Sequence, residues 1–398
     1  MMIDILKIVL IFTFILLLLR KKLGVGYVLI AASALLSMAY LMKPAEVLDT
    51  ISNTVTSKIT FELFIALTFI RMLEIILREE DILHDMMVAM KGLIRRRRWV
   101  VISMPLLIGL LPSIGGAYFS APMVEEATKD MGLSREDKAF TNYWYRHPWE
   151  FILPLYPGII LAAALTGKGL RAFILHNLSY SVTMLIIGGF FAMKGIKGKG
   201  SKENGLTKKG LISFSPIIIL LLLVMIFHIP VHYALVFVVA ALLALFRYDY
   251  ERLKKVFKYG FSPDIVFLIL GVMLFKETLV TSGAVKNLTI FFEATGIPIF
   301  PILFLLPFVC GLLTGLTVGS IGATFPLIIS IYGTNMAGMS FAFAAGYVGV
   351  LLSPVHVCLI LTTKYFEANM WKIYKKLIPA TLSIMGVALI QYLFLTLR

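Results

Sequence analysis

The chain has 398 residues, of which 59% are hydrophobic and 15% charged, with a mean hydropathy of +0.92. So little charge excludes an ordinary soluble domain of this size. Apolar runs that reach the ~20 residues of a bilayer-crossing helix predict an all-α integral membrane protein. The net charge of +15 would suit nucleic acid, but the basic residues collect in loops between apolar runs, so no nucleic-acid partner is expected.

In chain order, the apolar runs predict spans near 3–19, 24–42 and 61–78, an interrupted segment 99–123, a broken span 139–165 and a span 170–193. The opening run lacks a basic n-region and a small-residue cleavage site, and reads as a retained span rather than a signal peptide. Residues 81–94 predict an interfacial amphipathic helix ahead of the run Arg95 to Arg98, which marks the cytoplasmic boundary next to anionic lipid. Residues 194–210, rich in lysine and glycine, read as a solvated linker. Beyond it come 211–228, 231–246, 263–281, an interrupted segment 298–332, a broken span 340–363 and a span 377–396. The chain thus divides into a first repeat, 1–193, a linker and a second repeat, 211–398.

Each interrupted segment carries a glycine-serine cluster after a Gly-Leu-Leu: Pro112-Ser113-Ile114-Gly115-Gly116-Ala117 in the first, Gly319-Ser320-Ile321-Gly322-Ala323-Thr324 in the second. Such clusters inside an apolar run suit backbone that turns within protein, so both segments predict re-entrant hairpins, about 99–133 and 298–333. Phe64 and Glu74 match Phe267 and Glu277 at one offset, and Leu153-Pro154 matches Ser353-Pro354 in the broken fifth elements. With a hairpin in each half, each half crosses the membrane five times, and the halves are inverted. This topology sorts 27 of the 37 Lys and Arg onto one face and 7 onto the other. The rich face is cytoplasmic, which puts the linker in the cytoplasm and both termini outside.

Three basic residues stay inside spans: Arg71, Arg146 and Lys276. Ionisable groups at that depth face a cavity or a partner. Arg71 and Glu74 share a helix face and are expected to pair, while Glu74 and Glu277 are candidate ion or proton carriers. In the first broken span, Asn142, Arg146, His147 and Glu150 surround Pro148. Arg146 and His147 offer positive charge and Glu150 a proton site, or else Arg146 and Glu150 form an i,i+4 ion pair. In the second, Ser353 and His356 flank Pro354. Cys310 and Cys358 lie in apolar segments, which argues against a disulfide framework or a metal site. His228 and His232, with Pro230 between them, make a weak metal pair.

The hairpin clusters, the broken fifth elements and the run Gly346-Tyr347-x-Gly349-x-x-x-Ser353-Pro354-x-His356-x-Cys358 resemble the ion transporter superfamily of citrate, gluconate and dicarboxylate carriers and arsenite permeases. Within that group the chain is similar to a prokaryotic membrane family of unknown function. The resemblance implies an elevator-type secondary transporter of the cytoplasmic membrane, a homodimer, coupled to Na⁺ or H⁺ with no other cofactor. Its solute is held between hairpin tips and broken spans. The tips lack the Ser-Asn-Thr of the dicarboxylate branch.

The expected substrate site is Ser113, Gly115 and Gly116 from one tip, Ser320, Gly322 and Thr324 from the other, with Asn142, Arg146, His147, Ser353 and His356. The coupling candidates are Glu150, Glu74 and Glu277. The cargo expected there is a small anionic, carboxylate-like solute. A cation/proton antiporter using the intramembrane carboxylates is the near rival. An intramembrane enzyme, for which only a Ser113–His147 pair offers itself, is the distant one, and no enzymatic activity is expected.

Overall fold

The computed structural model describes residues 2–94, 97–112, 116–129, 131–192, 208–295 and 298–397, and the secondary structure among them is helical throughout. The first stretch holds α1 (Met2–Arg20), α2 (Val25–Ala39), α3 (Pro44–Thr56), α4 (Lys58–Glu79), α5 (Ile82–Leu93), α6 (Arg97–Ile108), α7 (Gly116–Thr128), α8 (Arg135–Arg146), a 3-10 turn (Pro148–Phe151), α9 (Pro157–Thr166) and α10 (Leu170–Ala192). The second opens with the short α11 (Lys208–Ile212). It continues with α12 (Ser215–Met225), α13 (Val231–Leu245), α14 (Tyr250–Gly260), α15 (Pro263–Thr281), α16 (Ala284–Thr295), α17 (Phe300–Thr314), α18 (Thr317–Tyr332), α19 (Met336–Leu351), α20 (Val357–Tyr365) and α21 (Met370–Thr396).

Caps and prolines set these boundaries. Ser134, Asp249, Asn335 and Asn369 each accept a backbone N–H from the first turn of α8, α14, α19 and α21. Proline opens α3, α9, α12 and α15, where its missing N–H would have had no partner anyway. The start of α8 is also tied to α21 by an ion pair of Asp137 with Lys376. Burial works against ionised Asp137, but hydrogen bonds from Lys376 and Ser134 outweigh it and hold the carboxyl below its ordinary range.

All twelve expected elements are present as helices or helix pairs, and 82–93 is the helix expected at 81–94. α3, α14 and α16 occupy connections that the apolar runs alone leave as loops, because half-polar helices carry no long apolar run. The linker expected over 194–210 is described only from Lys208, where α11 begins, and its remainder lies outside the described residues. Among the described residues, α10 and α21 are long and apolar enough to cross a membrane, and other apolar helices, such as α2, α13, α17, α18 and α19, are shorter. Leu17, Ile186, Phe190, Phe237, Leu245 and Ile390 stand more than half exposed on α1, α10, α13 and α21.

Several packings of α1–α10 against α12–α21 come in corresponding pairs. α2 packs on α15 and α13 on α4; α3 packs on α15 and α14 on α4; α9 packs on α18 and α20 on α7; α10 packs on α21. The most deeply buried rings, among them Tyr143, Trp144, Phe151, Phe343 and Tyr347, gather around the broken spans, where Phe151 meets Tyr347 edge-on at 4.7 Å.

One expectation is corrected here. The second hairpin turns at Gly315-Leu316, not at Gly319–Thr324. Gly315 ends α17 in the left-handed conformation (φ +63°), which a residue without Cβ adopts freely, and α18 starts at Thr317. Ser320, Gly322 and Thr324 therefore lie within α18 and face protein. Ser320 Oγ donates to the Pro307 carbonyl (2.8 Å) and Thr324 Oγ1 to that of Ser320 (2.7 Å). Gly322 faces Val272 so closely that a Cβ would sit 2.7 Å from its Cγ2.

Gly-Leu-Leu is the better register for the two hairpins. A Cβ at Gly109 would lie 2.2 Å from the Arg146 carbonyl oxygen, and one at Gly311 would lie 2.1 Å from that of Gly346. Each hairpin's first arm thus rests on the matching point of a broken span. The first tip, with Ser113 and Gly115, lies outside the described residues. Gly116 is buried as the first residue of α7.

Candidate functional site

Two chain breaks face each other near the second hairpin tip. α8 stops at Arg146, Pro148 opens the 3-10 turn, and α9 resumes at Pro157. α19 stops at Leu351, Pro354 follows, and α20 resumes at Val357. Ending a helix strands carbonyls, and a buried carbonyl left without a donor costs about 1–3 kcal/mol. Aromatic hydroxyls meet this need. Tyr347 OH donates to His147 O (2.8 Å), Tyr143 OH to Leu351 O (2.9 Å) and Tyr156 OH to Gly109 O (2.5 Å). Tyr143 and Tyr347 thus each serve the other stretch's break, so the two irregular segments hold one another in shape.

A cavity of about 630 Å³ opens between the breaks, the second tip and α4. Its wall includes Arg71, Glu74, Arg78, Arg146, His147, Glu150, Thr317, His356 and Cys358. Among the helices that begin on it are α9 at Pro157, α18 at Thr317 and α20 at Val357. Helix N-termini present unpaired N–H groups and a partial positive charge, so three together favour an anion.

Most of the charged groups in this wall have a partner in the fold. Glu74 takes Arg78 at 2.7 Å rather than Arg71, an i,i+4 reach on the same face of α4. Arg71 turns instead to Tyr259, donating from Nε to its carbonyl (2.9 Å) and stacking 4.4 Å above its ring. Arg146 is 3% exposed, and its Nη1 approaches Cys358 Sγ at 3.7 Å. Glu150 Oε2 accepts from Thr317 Oγ1 at 2.7 Å. The helical i,i+4 spacing of Arg146 and Glu150 is lost because α8 ends at Arg146.

The two histidines have their rings anchored. His147 Nδ1 lies 2.5 Å from Tyr143 O and His356 Nδ1 lies 2.7 Å from Gly315 O. Their Nε2 atoms face each other at 3.1 Å. With Cys358 Sγ these form the group of three donor atoms, all within 4.8 Å of one another, that could hold a metal among the described residues.

Of the expected site residues, Arg146, His147 and His356 line the cavity with the carboxylates Glu74 and Glu150. Ser320, Gly322 and Thr324 do not, for the reason given by the hairpin turn. Asn142 does not line it either: its Nδ2 donates to Ala117 O and Thr362 Oγ1, and its Oδ1 accepts from Ser120 Oγ, so its amide braces α7, α8 and α20. Ser353 is buried beside the second break, where its Oγ accepts from Val355 N. Glu277 is half-buried on α15, away from the cavity wall.

Thr317 and Cys358 were missed. The Thr-Gly-Leu-Thr of 314–317, a glycine helix stop followed by a hydroxyl residue, was the available signal for Thr317. The apolar flanks of Cys358 hid that its sulfur faces two histidines.

No curated protein matches the chain. Residues 5–395, nearly all of the sequence, fit a family described as a protein of unknown function, DUF401, and the chain belongs to that family.

Proposed function

We propose that this protein is a secondary active transporter for a small anionic, carboxylate-like solute, coupled to Na⁺ or H⁺, in the cytoplasmic membrane. The observation that carries the reading is the convergence of three helix N-termini and a buried arginine on one cavity between two chain breaks. Broken helices whose half-helix starts face a shared cavity are the usual way a membrane protein binds an anion away from water.

The architecture proposed is two inverted repeats, each of five crossings and one re-entrant hairpin, working as an elevator-type homodimer. The corresponding helix pairings, α2 on α15 with α13 on α4 and α9 on α18 with α20 on α7, support the repeat. The exposed aliphatic and aromatic residues of α1, α10, α13 and α21 support the membrane setting, because water would penalise that surface and lipid would not. The sorting of Lys and Arg supports both termini outside and residues 194–210 in the cytoplasm. The dimer and the elevator motion rest on the resemblance to the ion transporter superfamily. Arg146 would bind the solute's carboxylate, and Glu150 or Glu74 would carry the coupling ion.

Glu74, Glu150 and Asp264 line the same cavity, and this keeps a cation/proton antiporter as the second reading. Proteoliposomes separate the two. Purified protein is expected to accumulate one class among carboxylates, oxyanions and amino acids under a Na⁺ or pH gradient, with the solute recovered intact. Alkali-cation exchange for protons with no organic solute would establish the antiporter instead. Chemical conversion of the solute would overturn both.

A further inference from the structure

We infer that His147 Nε2, His356 Nε2 and Cys358 Sγ form a binding site for a transition-metal ion of the zinc class, open on its fourth side to the central cavity. This goes beyond transport and does not depend on it.

A backbone carbonyl can only accept, so the Nδ1 atoms bonded to Tyr143 O and Gly315 O must each carry the ring proton. A neutral imidazole has one N–H, so both Nε2 atoms present lone pairs, and those lone pairs face each other at 3.1 Å. Two such lone pairs need an electrophile between them, a proton or a metal ion, and the Cys358 thiol beside them supplies the third donor that a metal of the zinc class takes. Zinc bonded to two nitrogens at ~2.05 Å with a tetrahedral angle sets them about 3.3 Å apart, close to what is found. Sγ is within 4.8 Å of both nitrogens. A tetrahedral zinc needs N···S near ~3.6 Å, inside that limit.

The surroundings are those of a built site. Each ligand histidine hands its other N–H to a helix-end carbonyl, the usual device that fixes tautomer and ring direction at metals. The ligands come from both breaks, 209 residues apart along the chain for the two histidines. All three line the cavity, which gives an entry path and room for a fourth ligand. On binding, Cys358 releases its thiol proton to water. The divalent ion, Arg146, the thiolate and Glu150 then sum to one positive charge, which a monoanionic solute would neutralise.

The test uses the full chain in detergent, stripped with chelator and titrated with Co²⁺ in the absence of any solute. One Co²⁺ per chain is expected, with the intense visible bands of a tetrahedral site and a near-ultraviolet sulfur-to-cobalt charge-transfer band, both removed by Zn²⁺. Cys358→Ser is expected to lose the charge-transfer band, while Cys310→Ser keeps it. His356→Gln is expected to weaken binding by more than the ~10–100-fold that loss of an outer-shell partner costs. Should His356→Gln fold poorly, the wild-type titration and the Cys358→Ser spectrum decide alone. Saturating Zn²⁺ is also expected to raise the melting temperature of the wild type and not that of Cys358→Ser. Absence of Co²⁺ binding by the wild type, or a sulfur band that survives Cys358→Ser, would overturn the site. Either result leaves the flux experiment untouched, and failed flux leaves this spectrum untouched.

Discussion

Arg146→Gln is expected to abolish saturable uptake and to leave the chain folded. The guanidinium is buried at the end of α8 on the wall of the cavity, and arginine remains charged at any working pH. Removing one partner of a buried charge interaction costs about 2–5 kcal/mol, so solute affinity should fall by roughly 30-fold to several thousand-fold. Arg146→Lys should recover little of this, since a compact ammonium lacks the planar fork that grips a carboxylate with two bonds. Solute-dependent thermal shift reads the affinity, proteoliposome uptake reads the rate, and circular dichroism checks the fold. Unchanged affinity in Arg146→Gln would remove the arginine from the site.

Gly315→Val should be as severe by a different route. Gly315 has φ +63°, where a β-branched residue is strained by roughly 1–2 kcal/mol or more. A Cβ there would also sit 2.9 Å from the His356 backbone nitrogen and 3.0 Å from its Cα. The carbonyl that orients the His356 ring belongs to the same residue. The substitution therefore moves the hairpin tip and the second break together, and both uptake and thermal stability should drop. Leu316→Ala, at the neighbouring half-exposed tip position, should leave stability nearly unchanged. Uptake by Gly315→Val at the wild-type rate would mean that the tip does not need its tight turn.

How much of this was legible in the residues depends on how local the signal is. Prolines 148, 154 and 354 marked both breaks because proline acts on its own backbone and its immediate neighbours. Arg146, His147, Glu150 and His356 reached the cavity because they sit on those breaks. The second tip was misplaced because Ser320-Ile321-Gly322 repeats the letters of Ser113-Ile114-Gly115, whereas the shared geometry belongs to Gly109 and Gly311, each pressed on a carbonyl far along the chain. Asn142 looked like a binding residue and is a brace, since only the fold brings Thr362 to its amide. The approach of Cys358 to His147 likewise depends on how the two stretches pack, which no window of sequence contains.

Transport of this kind needs a water-accessible cavity at the second hairpin tip, and side-specific labelling of Thr317→Cys tests that most directly. In a Cys310→Ser background that keeps Cys358, a membrane-impermeant maleimide would be applied to right-side-out and inside-out vesicles, with that background as the blank and Leu17→Cys as a lipid-facing control. Thr317→Cys is expected to react from at least one aqueous side and to be protected by the transported solute, while Leu17→Cys stays silent. A Thr317→Cys thiol that is silent from both sides, and reacts only after denaturation, would contradict it.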